Sequence, residues 1–144
     1  EHTDTFSQNK EILLGKLTQL KSDGEEELSS LKCRSLITFH DGFAYFADAF
    51  SLNILHSMEE ESGSEASAAE LKHLITLVRT HDLPAIFTER SGSVSAAGVI
   101  SAETGAEILE FHSLHNISKS DFDSGKTYLQ IMHQNLTNLK RALN

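Results

Sequence analysis

The stretch from Leu36 to Phe50 constrains the fold more than any other part of this chain. It opens on Leu36-Ile37-Thr38-Phe39, a short apolar run with a β-branched centre, the signature of a buried strand. It closes on Phe43, Phe46, Ala47 and Phe50, spaced i, i+3, i+4 and i+7 as on one helix face. The period changes at His40-Asp41, and the Asp41 carboxylate is suited to cap the new helix. His40 is thereby expected at the carboxyl end of a strand, beside a helix N-terminus. Open α/β sheets place their ligands at such ends.

The rest of the chain repeats that alternation. Leu13, Leu17, Leu20, Leu28 and Leu31 space a long helix from about Asp4 to Lys32, with Gly24 in a seam position and Glu25-Glu26-Glu27 as a solvated face. Gly24 would allow a bend or a close helix crossing. Leu52 to His56 is a second strand, and the acidic run Glu59 to Glu65 is a loop. Ser67-Ala68-Ala69-Glu70 has capping-box form and opens a helix with Leu71, Leu74, Ile75 and Val78 on its apolar face. That helix ends at His81-Asp82-Leu83-Pro84, and Ala85 to Thr88 is the third strand, running into Glu89. Ser91 or Ser93 caps a helix bearing Val94, Ala97 and Ile100 that stops near Gly105. Glu107 to Phe111 is the fourth strand, ending at His112. A polar loop from Ser113 to about Ser124 precedes a last helix with Tyr128, Met132, Leu136, Leu139 and Leu143 on one stripe. Strands alternating with helices predict an α/β fold: a four-stranded parallel sheet with helices on both faces, behind a long N-terminal linker helix.

Size and charge narrow the function. At 144 residues the chain suits one domain with a real core. The net charge of −9 argues against nucleic acid and against an anionic membrane surface, which need clustered Lys and Arg. The single cysteine, Cys33, excludes an intramolecular disulfide and a thiolate zinc finger. No apolar run approaches the ~20 residues of a membrane span, and the opening Glu1-His2-Thr3-Asp4 is not a signal peptide. No glycine-rich phosphate loop follows a strand, and no H-E-x-x-H helix is present.

Parallel strands share one carboxyl edge, so His40, His56, Glu89 and His112 are expected on a common rim. Imidazole nitrogen and carboxylate oxygen suit Zn²⁺. His115, three residues beyond His112, is within reach of joining them. His56 reads as structural, and Glu89 as a carboxylate that holds backbone amides or orients a ligand. His2, His73, His81 and His133 fall on helix surfaces or termini. The residues alone leave three readings open: a metal-binding module, a small zinc-dependent hydrolase using the same rim, or a structural α/β domain whose histidines are caps.

The segment Thr38-Phe39-His40-Asp41-Gly42-Phe43-Ala44-Tyr45-Phe46 resembles the opening of the C-terminal lobe of zinc- and manganese-specific substrate-binding proteins of bacterial ABC transporters. Ser64 to Leu71, Ala85 to Glu89, Thr104 to Leu109 and Tyr128 to Leu139 resemble successive segments of the same lobe, so the likeness covers nearly the whole chain. It implies that residues 1–33 are the rigid helix connecting two lobes and residues 34–144 the C-terminal metal-binding lobe. The N-terminal lobe, which gives the family's other two ligands, would then be absent from this chain.

The resemblance implies one ligand at His40 and one at His112. Much of the family has aspartate at the latter position, so the choice between His112 and His115 stays open. Histidine at His40 favours zinc over manganese. Also implied are an extracytoplasmic location in the periplasm or on a surface lipoprotein, a membrane ABC permease as partner, and no bond-making chemistry. Without the other lobe, an exposed apolar surface would favour dimerisation.

Overall fold

The computed structural model describes residues 3–58, 66–89, 94–115 and 117–144, with the backbone alone at 94 and 95. The expected acidic loop and the expected Ser91 or Ser93 cap lie outside the described residues. The elements run α1 (Thr3–Glu27), β1 (Ser35–Thr38), α2 (Ala44–Ala49), β2 (Asn53–Ser57), α3 (Ala68–Thr80), β3 (Ala85–Thr88), α4 (Val94–Thr104), β4 (Glu107–Glu110), α5 (Lys119–Asp123) and α6 (Tyr128–Leu143). The strands form one parallel sheet in the order β2-β1-β3-β4. The chain steps from β1 to one side for β2 and to the other for β3. The crevice between β1 and β3 is thus a topological switch point.

Successive strand residues face opposite sides of the sheet, and the core divides accordingly. Leu36, Phe87 and Leu109 join Leu28, Phe43, Phe111, Leu136, Leu139 and Leu143 on the face covered by α1, α2 and α6. Ile37 and Ile86 join Phe39, Leu74, Val78, Ala97 and Ile100 on the face covered by α3 and α4. Helices therefore cover both faces, as the alternation predicts.

Gly24 explains how closely α1 is seated. A Cβ there would lie 2.4 Å from Cε1 of Phe50 and 3.1 Å from Cδ2 of Leu136. The expected close crossing is real, and the phenyl ring at the end of α2 occupies the space a side chain would need. The Arg34 guanidinium fastens the same corner, donating to the Leu28 carbonyl at 2.8 Å and to the Phe50 carbonyl at 3.2 Å.

Several local expectations are corrected. Helix α1 ends at Glu27 and turns over the next residues, short of Lys32. Its amino-terminal half is largely uncovered: Leu13 is exposed, while Leu20, Leu28 and Leu31 are buried. Asp41 does not cap α2. The helix begins two residues later, with Phe43 in the N-cap position and no side-chain cap, because seating the Phe43 ring against Phe111 sets the helix start. The loop before α6 contains a short helix, α5, capped by Ser118, whose hydroxyl accepts the Asp121 N–H. Ser67 does cap α3, accepting the Glu70 N–H at 3.2 Å.

Candidate metal centre

The loop after β1 and the loop after β4 meet at the carboxyl edge of the sheet. Thr38, fully buried, donates its hydroxyl to the His40 carbonyl at 3.2 Å and so holds the first loop at its root. The His40 ring stands edge-on to Phe43, with centroids 6.3 Å apart, and leans over Gly42. A Cβ at Gly42 would fall 3.0 Å from Nε2 of His40 and 3.2 Å from Cβ of Ser113. Glycine is what lets the His40 ring and the second loop share this space.

The second loop is held from two sides. Asn135 of α6 is buried and clamps the His112 backbone. Its Oδ1 accepts the His112 N–H at 2.9 Å and its Nδ2 donates to the His112 carbonyl at 2.8 Å. Asn138, one turn on, donates to the Glu110 carbonyl at 2.7 Å. From the other side, the Glu89 carboxylate accepts the Ser113 N–H at 2.6 Å, tying the end of β3 to the loop. Leu114 has a left-handed backbone at φ 66°, and its N–H donates to Nδ1 of His112 at 2.9 Å.

The outcome for the rim residues is uneven. The rings of His40 and His115 approach to 5.7 Å between centroids. His112 lines a pocket together with Asp121, Gln130, Gln134 and Asn135, towards α6. His56 lies within β2, not beyond it, with its ring 5.6 Å from that of His73. Among the described residues, no three His, Cys, Asp or Glu side chains gather closely enough to hold a metal ion. Asn135 escaped the sequence reading. Its signal is present: it is a polar residue in the apolar series Met132, Asn135, Leu136 and Leu139, where it needs a buried partner.

The fold and this rim define a class: an α/β lobe that presents imidazoles at a sheet switch point. The match to known proteins is more specific. The family model described as zinc-uptake complex component A, periplasmic, matches residues 1–142. The zinc-binding lipoprotein AdcA of Streptococcus pneumoniae is 29% identical over 139 residues, covering 96% of this chain and 28% of that protein. The high-affinity zinc uptake system protein ZnuA of Bacillus subtilis is 28% identical over 143 residues, covering 99% of this chain and 45% of that protein. The crystal structure of the Zn(II)-bound ZnuA-like domain of S. pneumoniae AdcA superposes with a TM-score of 0.84 at 28% identity. It covers 99% of this chain and 53% of that one. The chain belongs to the zinc-uptake complex component A family, and it spans less than half the length of these two curated relatives. Among the described residues no helix is long and apolar enough to cross a membrane.

Proposed function

We propose that this chain is the metal-holding lobe of an extracytoplasmic zinc receptor that passes its ion to a membrane ABC permease. Zinc is cargo here, and no covalent chemistry is performed on it. The observation that carries the reading is the meeting of His40 with the histidine-bearing β4 loop at the sheet's carboxyl edge, in a chain of the zinc-uptake family. Two imidazoles bound tetrahedrally to one zinc through nitrogens at about 2.0–2.1 Å have centroids about 5 Å apart. The His40 and His115 rings, at 5.7 Å, stand slightly wider than that and would draw together on a shared ion.

In this reading residues 1–33, with α1 as their helical part, connect two lobes, and residues 34–144 form the lobe that supplies His40 and a ligand from His112 or His115. Glu89 acts through the Ser113 amide, fixing the loop and not touching the ion. Nitrogen donors favour zinc over manganese. The remaining ligands come from an N-terminal lobe that closes over the rim. The uncovered part of α1, with Phe6, Ile12 and Leu13 exposed, is the apolar surface left for such a lobe or for a second copy of this chain.

Isothermal titration with zinc tests the proposal. His40→Ala is expected to weaken zinc binding by about tenfold or more. Unchanged affinity in a folded His40→Ala protein would remove the lobe from zinc capture.

A further inference from the structure

We infer that His56 of β2 and His73 of α3 form a second site for a divalent cation of the zinc type, separate from the carboxyl-edge loops. The inference stands independently of the zinc-receptor reading and adds a site to it.

The register of β2 is what turns His56 towards α3. Ser35 pairs with Asn53 and Leu36 with Ile54, but Ile37 pairs with His56 and Thr38 with Ser57. Leu55 is therefore an extra residue, a bulge in a parallel pair, where bulges are rare. The Thr38 and Ser57 hydroxyls, 3.3 Å apart, fix the register beyond it. Side chains alternate along a strand, and residues paired across two strands face the same way. Ile37 lies in the layer covered by α3 and α4, so the shift puts His56 on that face. In an unshifted register His56 would pair with Thr38 and turn to the opposite layer. Leu55 also packs against the α3 and α4 layer. Two consecutive strand residues on one face break the alternation, and re-aiming a side chain is what bulges do.

Helix α3 brings the second imidazole. Leu74 and Val78 are buried and seat the helix on the sheet, and His73, one position before Leu74, is left exposed on its flank. The rings of His56 and His73 stand 5.6 Å apart between centroids, with planes inclined by 71°. Two imidazoles on one tetrahedral zinc have centroids about 5 Å apart, so a small side-chain rotation closes this pair on an ion. His56 is half-buried and His73 exposed, so the ion enters from solvent. Among the described residues no hydrogen bond or ion pair engages either ring. A neutral imidazole keeps one nitrogen lone pair, and imidazole is a donor that suits zinc. Glu70, one turn before His73 on the same face of α3, adds negative charge beside the pair. The described residues gather no group of three donors, so two imidazoles are the protein's share of the shell and water supplies the rest. The ion would cross-link the edge strand β2 to α3.

Long-range ¹H–¹⁵N spectra of the histidine rings, recorded during titration of the chain with zinc chloride, test this site. His56 and His73 are expected to move together to metal-bound nitrogen positions, with one midpoint. The titration is repeated with His73→Ala and with His56→Ala. A ring left alone should need about tenfold or more additional zinc to respond. Rings that respond with different midpoints, a His56 response unchanged in His73→Ala, or no response of either ring overturns the assignment. The same spectra report His40, whose response is expected to be the same in both variants. Failure of the second site is thereby distinguished from failure of the zinc-receptor reading, which a silent His40 would signal.

Discussion

Asn135 shows at the smallest scale how this rim is built. One carboxamide satisfies both backbone groups of His112, and the side chain is almost wholly buried, at 2% exposure. Asn135→Leu would keep the volume and apolar fit to α6 but leave an amide and a carbonyl without partners. An unsatisfied buried group costs about 1–3 kcal/mol, so the variant is expected to lose about 2 kcal/mol in urea unfolding. It should also lose zinc affinity, because the loop that carries His112 and His115 is no longer clamped. A variant as stable as the parent would show that the clamp is incidental. His40, His112 and His115 were legible as candidates because each sits near a strand end. Which of them meet was not legible, since it depends on the backbone reversal at Leu114, and nothing in the residue type of leucine announces a positive φ.

At the scale of elements, the alternation of strand and helix was readable because both periods are strong. Leu74 and Val78 face the sheet from α3, and Leu36 and Ile37 point to opposite layers, as their spacing requires. The misread pieces are those where packing overrides local preference. Asp41 has the chemistry of a cap, yet the stacking of Phe43 on Phe111, 4.1 Å between centroids, sets the start of α2. Helix α5 is five residues long and has no apolar period to announce it. Gly24 was visible as an irregularity in the α1 seam, but only the fold reveals the Phe50 ring above it. Gly24→Ala therefore sets two effects against each other. Helix propensity gains about 1 kcal/mol, whereas overpacking against the ring costs about 1–3 kcal/mol. The clash at 2.4 Å decides the sign, and the variant is expected to be less stable by about 1 kcal/mol in thermal or urea unfolding. A gain in stability would mean that the Phe50 ring swings aside freely.

For the molecule as a whole, the rim is assembled from residues far apart in the chain and held together by the sheet. Thr38 anchors the His40 loop, Glu89 ties β3 to the β4 loop, and α6 fastens that loop from behind. Such a platform is tied down from behind, as the proposed sharing of an ion with a second lobe requires. The acidic composition argued against nucleic acid and the single cysteine against a thiolate zinc finger, and the family match agrees with the imidazole-based zinc reading that remained. The central claim is that zinc is held where the β1 and β4 loops meet. Anomalous diffraction at the zinc edge from crystals of this chain grown with zinc tests it most directly. The account predicts a peak about 2.0–2.1 Å from a ring nitrogen of His40 and from one of His112 or His115. A peak only at His56 and His73, or none at the carboxyl edge of the sheet, would contradict it.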